Sequence, residues 1–473
     1  MGSSGLPGGR GPSSFVQSRT LFLINLAAIM ESADERLLPA VYQEVGVALK
    51  ASPSKLGTLT FTRALVQALF SPMAGFLAMH YDRGTVIGIG TIIWAGATLI
   101  VGLSTTYFQA MIGRAITGVG LAIVIPAIQS FVADSHEEGR GLAFGWLNLT
   151  GNVGGIGGSM AATMLAGGRY FGMDGWRVAF VGMAVISLGV GWLVYAYVVD
   201  PRPVSEGSGP GTFRESLSSS MTGVRSVLKL RSFQLIIAQG VIGSIPWQSL
   251  VFFTMWLQLI GFSHSNAAYL MGLFSTGCAF GAVFGGWLGD RAAKRFPGAG
   301  RIMCAQYSAG SGVPFTWLLL LMIPQDPQLF WLYGALLFLM ATSISWCQSA
   351  CNNPIFADIV PPDLRTTIYA FDRAFEGSLS ALAAPLVGVL AEVMYGYKFD
   401  VLKASEPSAA NARALSNGLF ACMAPSFGIC AATYGLLYAT YHKDKDRVDA
   451  KVYKDRERRP LKMEEVSNAA FSL

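Results

Sequence analysis

The feature that most constrains this chain is a succession of about a dozen apolar segments of roughly 20 residues each, long enough as helices to cross ~30 Å of hydrocarbon. Only 13% of the residues are charged, against about 25% in soluble domains. The 55 glycines suit helices that approach one another closely in a membrane. The sequence therefore predicts an all-α polytopic membrane protein.

The apolar segments predict twelve transmembrane helices with short loops between them. The predicted spans are residues 20–45, 56–79, 84–104, 108–133, 140–166, 177–199, 233–260, 266–289, 302–324, 329–353, 365–394 and 412–441. One long connection, rich in proline, glycine, serine and basic residues, separates six spans from six, which is the internal-repeat arrangement of secondary transporters. The predicted organisation is a disordered N-terminus (1–18), two six-helix halves (19–199 and 232–442), a cytoplasmic linker between them (200–231) and a cytoplasmic tail (443–473).

The distribution of basic residues gives the orientation. If both termini are cytoplasmic, most of the 34 lysines and arginines lie on the cytoplasmic side of the predicted spans. Cytoplasmic loops of membrane proteins carry such an excess. We therefore expect an integral membrane protein with both termini in the cytoplasm.

Between Leu21 and Tyr42 the first predicted span contains four charged residues, Glu31, Asp34, Glu35 and Arg36. An ionised group in hydrocarbon costs several kcal/mol unless it is paired or faces water. Spacings of three and four place Glu31, Asp34 and Glu35 on one helical face, and a rise of about 1.5 Å per residue places Glu31 near the midplane. Such residues mark a polar pathway through a helical bundle, which favours a transporter.

Two further arginines, Arg63 and Arg114, are predicted at a similar depth in the second and fourth spans. With the acids of the first span they form either a network that binds protons or an anionic headgroup, or an ion-pair cluster that holds helices together. If each arginine pairs with one acid, a third acid remains to exchange protons, and Glu31 is the choice because it lies deepest. The predicted proton-coupling residues are Glu31, Asp34 and Glu35, and Arg36, Arg63 and Arg114 are predicted to bind substrate.

The eleventh predicted span carries a second charged group. Asp372 and Glu376 are four residues apart on one helical face, with Arg373 beside them. They are predicted to form a second proton site, with Arg373 binding substrate; the alternative is a salt bridge to a neighbouring span. In the seventh span, Trp256 and Gln258 are predicted to line a substrate cavity, although tryptophans near span ends also serve as interfacial anchors.

Other chemistries lack the residue patterns that they need. The six cysteines have no zinc-ligand spacing, and the four histidines fall in loops or at span ends. No nucleophile–base pair or hydrolase motif emerges. The net charge of +6 comes from loops that flank the membrane. We therefore expect no enzymatic activity, no metal or cofactor and no nucleic-acid partner, but a monomer whose partners are the lipid bilayer, protons and a small-molecule or lipid substrate.

The loop after the eighth predicted span, residues 286–295 (GWLGDRAAKR), resembles the signature loop of the major facilitator superfamily. The resemblance implies the major facilitator fold and a cytoplasmic conformational latch made by Gly286, Asp290, Arg291 and Arg295. In the equivalent loop of the first half, Met79 and His80 stand where the family pattern has Asp and Arg.

Further stretches extend the likeness. Residues 114–120 (RAITGVG) resemble a fourth-span motif that the family links to proton coupling. Within the superfamily, Spinster-like transporters, especially plant and algal members, are similar over residues 31–42, 351–362, 364–367 and 384–388.

The Spinster-like resemblance implies alternating-access transport, coupled to protons, of a lysophospholipid or a sphingosine-phosphate-like lipid. It also implies the plasma membrane or an endosomal, lysosomal or vacuolar membrane. The alternative within the class is a carrier of small polar organic solutes, such as a sugar or an organic anion.

Overall fold

The computed structural model describes residues 14–135, 140–200, 231–355, 376–400 and 406–470. Within these residues the chain is almost entirely helical, as predicted, with one two-residue antiparallel hairpin formed by β1 (Arg169–Tyr170) and β2 (Met173–Asp174). The chain forms two compact units. Unit 1 consists of Met1–Phe213, Val251–Tyr269 and Lys398–Ser408, and unit 2 of Arg214–Leu250, Leu270–Tyr397 and Ala409–Leu473.

The helices up to the linker all belong to unit 1. They are α1 (Ser14–Ala40), α2 (Tyr42–Leu49), α3 (Pro53–His80), α4 (Arg83–Leu103), α5 (Tyr107–Ser135), α6 (Arg140–Ala166) and α7 (Gly175–Tyr197). Local sequence explains several boundaries. Pro53 occupies the first turn of α3, where its missing N–H costs nothing. Asp82 caps α4 by accepting a 2.7 Å hydrogen bond from the backbone N–H of Thr85.

The core of unit 1 is an apolar cluster built mainly from α1, α4 and α5, with further residues from α7, and it includes the fully buried Trp94. Glycines let the helices meet at backbone distance. A Cβ added at Gly120 of α5 would lie 2.7 Å from the Cβ of Trp94, and one added at Gly90 of α4 would lie 2.6 Å from Val124. Small residues at such crossings drive helix association in membranes.

The helices after the linker alternate with short 3₁₀ and π segments. They are α8 (Arg231–Ser249), α9 (Phe253–Ile260), α10 (His264–Arg295), α11 (Gly300–Trp317), α12 (Phe330–Ile344), α13 (Ala383–Val389) and α14 (Ala409–Ala470). Three π segments, Leu318–Met322, Cys347–Asn352 and Leu390–Met394, each follow a helix of unit 2. π segments are often found at functional positions.

The predicted spans fall on helices wherever the structure describes them. Among the described residues, eight stretches are both long and apolar enough to cross a membrane. The predicted eleventh span begins outside the described residues, and the predicted first span is divided, because Val41 leaves the helical conformation between α1 and α2. Unit 1 includes short segments from after the predicted linker, so the two compact units do not coincide with the two predicted six-helix halves. The division into two halves and a linker stays a prediction.

Candidate functional site

Asp34 lies wholly inside unit 1, on α1, with no exposed surface. Its Oδ1 accepts a 2.7 Å hydrogen bond from Thr98 Oγ1 of α4. Within the described part of the chain its Oδ2 has no hydrogen-bond partner. Arg114 and Arg63 both interact electrostatically with this carboxylate. The carboxylate is thus shielded from water close to two guanidinium groups. A change in its charge would therefore change the electrostatic energy of both arginines.

Glu35, one residue further along α1, forms an ion pair with Arg63 of α3. Glu35 Oε1 lies 2.8 Å from Arg63 Nη2, and the side chains are 51% and 8% exposed. The backbone of Arg63 is fixed by α5, because a Cβ at Gly118 would lie 2.5 Å from the Arg63 carbonyl oxygen. The glycine therefore brings α3 and α5 close enough to hold Arg63 against the acids of α1.

Arg114 of α5 is 1% exposed. Its Nε and Nη2 have no hydrogen-bond partner among the described residues, and the same holds for Nε and Nη1 of Arg63. Unsatisfied buried donors are rare in native proteins and call for an explanation. These four guanidinium nitrogens offer hydrogen bonds that an anionic group can accept.

Glu31 lies one turn before Glu35, half-buried, and lines a cavity of about 130 Å³ together with Gln129 and Asn152. Ser32 Oγ donates a 3.2 Å hydrogen bond to Glu31 Oε2. In the described ranges no cation lies within ion-pair distance of this carboxylate. Of the three acids of α1, Glu31 is therefore the one that lines a cavity large enough for water and, within the described residues, has no cationic partner at ion-pair distance.

Arg36 reaches toward α6. Its Nη2 donates a 2.9 Å hydrogen bond to Asn152 Oδ1, and its guanidinium lies where a side chain at Gly155 would be, 2.8 Å from the position of a Cβ. The glycine-rich run of α6 makes room for this arginine. Asn152 could not be singled out from the sequence, since an asparagine inside a glycine-rich segment has no distinctive spacing.

Trp256 and Gln258 lie on α9 and are both buried. Gln258 Nε2 donates a 3.2 Å hydrogen bond to Glu44 Oε1, and His264 Nε2 lies 2.6 Å from the same oxygen. Trp256 packs against Phe253 with ring centroids 5.7 Å apart. Neither residue belongs to the lining of the two cavities described in this section, and their substrate-binding role stays a prediction.

Unit 2 contains a second and larger cavity of about 310 Å³. Glu376 lies in its wall, 5% exposed, with its carboxylate against α8, because a Cβ at Gly240 would collide with Glu376 Oε1. Asn352 shares this wall and accepts a 2.8 Å hydrogen bond from the Tyr434 hydroxyl. Asp372 and Arg373, the predicted neighbours of Glu376, lie outside the described residues.

A comparison of the sequence with known families shows the family of this chain. The Major Facilitator Superfamily model matches residues 21–385, well over half of the chain. The chain belongs to the major facilitator superfamily.

Two curated proteins are similar to this superfamily member over different lengths of the chain. Protein spinster of Drosophila melanogaster is 23% identical over 408 residues, which is 81% of this chain and 63% of that protein. The chain thus spans less than two thirds of that relative's length. The quinolone resistance protein NorA of Staphylococcus aureus is 29% identical over 133 residues, 26% of this chain and 33% of that protein.

Solved structures show the same major facilitator fold. A bacterial homologue of the human lysosomal transporter Spinster, inward-facing and unoccupied, matches with a TM-score of 0.75 at 20% identity, over 92% of this chain and 99% of that one. The nucleoside transporter NupG matches with a TM-score of 0.62 at 12% identity, over 91% and 98%. The predicted fold and the predicted resemblance to Spinster-like transporters are confirmed.

The superfamily's signature loop lies at the end of α10. Asp290 Oδ1 accepts a 2.7 Å hydrogen bond from Arg301 Nη2 of α11, and Arg301 also donates to the carbonyl of Ala350. Arg291 lies over the Trp287 ring at 5.4 Å. The sequence did not single out Arg301, because it stands outside the family motif.

The other predicted latch residues take different surroundings. Arg295 lies over the ring of Phe296 at 6.0 Å, and Gly286 is half-buried in α10. The latch role of Gly286, Asp290, Arg291 and Arg295 stays a prediction.

In the first half of this superfamily member, a buried arginine follows directly after the equivalent loop. Arg83 is fully buried and pairs with Asp200, with Nη2 2.6 Å from Oδ1 and Nε 2.9 Å from Oδ2. Arg83 Nη1 also donates to the carbonyl of Ser130 at 2.8 Å. A buried ion pair between the start of α4 and the segment after α7 thus lies close in sequence to Met79 and His80, which replace the motif's own Asp and Arg.

Proposed function

We propose that this protein is a secondary active transporter that works by alternating access and couples proton movement to transport of a lysophospholipid or a sphingosine-phosphate-like lipid. The observation that carries the proposal is Glu31. Glu31 lies on a predicted transmembrane helix and lines a cavity. By contrast, Glu35 is paired with Arg63, and Asp34 accepts a hydrogen bond from Thr98.

Proton coupling needs an acid that can take up a proton without breaking the structure around it. Glu35 and Asp34 are poor choices, because each is held by a partner from another helix. Glu31 is bonded only to its neighbour Ser32 among the described residues, and the adjoining cavity gives a proton a route to it. An ionisable residue inside a membrane is a functional-site hypothesis by default.

Anion binding is the second part of the proposal. Arg63 and Arg114 are buried and retain guanidinium nitrogens without partners in the described residues. A phosphate group accepts such hydrogen bonds in pairs. The likeness to protein spinster and to a bacterial homologue of a lysosomal transporter supports a substrate of the kind that Spinster-like proteins move.

The test of proton coupling is uptake of labelled lysophosphatidylcholine into proteoliposomes, with and without an imposed pH gradient. We expect a gradient to stimulate uptake by the wild type and Glu31→Gln to abolish the stimulation. Glu406→Gln is the matched control, because Glu406 is exposed before α14, and it should behave as the wild type. Equal stimulation in Glu31→Gln would overturn the assignment of Glu31.

The test of the headgroup site is the double variant Arg63→Ala/Arg114→Ala. Loss of lipid uptake, in protein that still elutes as a single folded species, is expected. Full retention of lipid transport by the double variant would overturn the assignment of Arg63 and Arg114 to headgroup binding.

A carrier of small polar solutes is the second candidate. The cavity of unit 2 favours it, because amide side chains of Gln239, Gln248 and Asn352 line that cavity, and amides bind hydroxyl-rich solutes. Competition separates the two. If labelled lysophosphatidylcholine is not taken up, but sugars, nucleosides or organic anions are, the polar-solute carrier replaces the lipid transporter.

A further inference from the structure

The cavity of unit 2 has a composition that the proton and phosphate sites of unit 1 do not share. Among the described residues that line it, Glu376 is the only one with a charged side chain. Its other walls include three aromatic rings, those of Trp247, Phe427 and Tyr434. The cavity is therefore acidic and aromatic, whereas the arginines of unit 1 make a basic site.

The sequence of α8 builds this space. Gln239, Gly240, Gly243, Ser244, Trp247 and Gln248 all line the cavity, and their spacings of three and four place them on one stripe of the helix. The two glycines are essential to the shape. A Cβ at Gly240 would meet Glu376 Oε1, and one at Gly243 would lie 2.9 Å from Cys430 Sγ.

The three aromatic residues of the cavity differ in burial. Phe427 is 3% exposed and Tyr434 is fully buried, whereas Trp247 is 38% exposed. Tyr434 donates its hydroxyl to Asn352 Oδ1 at 2.8 Å, which fixes the phenol ring. At about 310 Å³ the cavity is at the lower end of small-molecule sites and suits one headgroup better than a whole lipid.

We propose that this cavity binds an organic ammonium group, the amine or quaternary ammonium end of a zwitterionic lipid. A carboxylate and three aromatic rings that line one cavity can attract such a cation together, because aromatic faces bind quaternary ammonium groups through the ring quadrupole and the carboxylate adds an opposite charge. Among the described residues that line the cavity, the side-chain hydrogen-bond donors are all uncharged, so none of them offers a phosphate the charge-assisted hydrogen bonds of an arginine or lysine. The inference rests on the proposed lipid transport and specifies which lipids it selects.

The experiment is equilibrium binding to the purified full chain in lipid nanodiscs. Labelled lysophosphatidylcholine is competed with unlabelled lysophosphatidylcholine and with lysophosphatidylglycerol of the same acyl chain, which keeps the phosphate and lacks the ammonium. We expect the wild type to prefer the choline lipid by about tenfold, as a desolvated cation–aromatic contact allows.

Two variants test the cavity by different routes. Glu376→Gln removes the charge, and Gly243→Leu fills the space without changing any charge; each should reduce the preference to about twofold or less. Glu392→Gln is the matched control, because Glu392 follows α13 and does not line the cavity. It should keep the wild-type preference.

Several results would overturn the inference. One is a wild type that binds both lipids equally, and another is a pair of variants that both keep the full preference. Tetramethylammonium provides a check that needs no intact lipid, since it should displace lysophosphatidylcholine from the wild type and fail to do so from Gly243→Leu.

The readout separates this inference from the proposed function. Binding is measured without a pH gradient and without transport. A retained preference for the choline lipid with no uptake in proteoliposomes would overturn lipid transport alone. Uptake of both lipids at equal rates, with equal affinities, would overturn the ammonium site alone.

Discussion

Arg83 Nη2 lies 2.6 Å from Asp200 Oδ1, and the two side chains are 0% and 6% exposed. The guanidinium also donates to Ser130 and lies over the Phe131 ring at 5.2 Å. One arginine therefore joins the beginning of α4, the C-terminal part of α5 and the short segment that follows α7.

Removal of one member of this pair is expected to destabilise unit 1. Asp200→Ala leaves Arg83 charged and buried, and the loss of one partner of a buried pair costs about 3–5 kcal/mol. Thermal unfolding of the detergent-solubilised protein measures the change. Arg169→Ala is the control, because its pair with Asp174 is exposed and contributes about 1 kcal/mol or less. An equal shift in the two variants would contradict the structural role of Arg83.

The hydrogen bond from Thr98 to Asp34 gives a second prediction. Thr98→Val keeps the shape of the side chain and removes the donor, so Asp34 Oδ1 is left buried without its partner. The cost is expected to be about 1–3 kcal/mol, measured as a lower unfolding temperature. Thr433→Val is the control, since Thr433 donates only within its own helix.

Transport adds a second readout for Thr98→Val. If Asp34 takes part in the charge network of the proposed site, the pH dependence of uptake should also change. A variant with wild-type stability and a wild-type pH profile would remove Asp34 from that network.

The contact between Gly118 and the Arg63 carbonyl predicts a strong effect from a single methyl group. Gly118→Ala would place a Cβ 2.5 Å from Arg63 O, so α3 and α5 must separate. Overpacking of this kind costs about 1–3 kcal/mol, and the Arg63–Glu35 pair should be displaced with it. Gly189→Ala is the matched control, because nothing lies within 4 Å of a Cβ there. Unfolding temperature and lipid uptake are both expected to fall in Gly118→Ala only.

The Asp290–Arg301 pair predicts an effect on rate without an effect on stability. Asp290 is 67% exposed and Arg301 is 23% exposed, and ion pairs with an exposed member contribute about 0–1 kcal/mol. If the pair is part of the proposed latch, Arg301→Ala should leave the unfolding temperature within a degree or two and lower the uptake rate severalfold. Lys294→Ala, on the same loop, is the control. Unchanged uptake by Arg301→Ala would exclude Arg301 from the latch.

Much of the candidate site was accessible from the sequence, because helical spacing and depth are properties of one segment. Glu31, Asp34 and Glu35 were placed on one face of the first span, and Arg63 and Arg114 at a similar depth, from residue counts alone. The partners were not accessible. They depend on how four helices are rotated against one another. Glu35 pairs with Arg63, Asp34 with Thr98 and Arg36 with Asn152.

The same distinction applies to the signature loop and to the cavity of unit 2. The signature motif located Asp290, and the tertiary structure supplied Arg301 as its partner. The stripe of α8 from Gln239 to Gln248 was not singled out from the sequence, and its opposite wall comes from Phe427 and Tyr434, far away in sequence.

The sequence by itself determined the class of the protein. Apolar segments of membrane-spanning length can satisfy their backbone hydrogen bonds only as helices, and the family motif follows from local spacing. The tertiary structure decided which buried charges are paired and where space remains for a ligand. These depend on close approaches such as that of Gly118 to Arg63 and of Gly240 to Glu376, where the absence of a side chain on one helix determines the position of a charge on another.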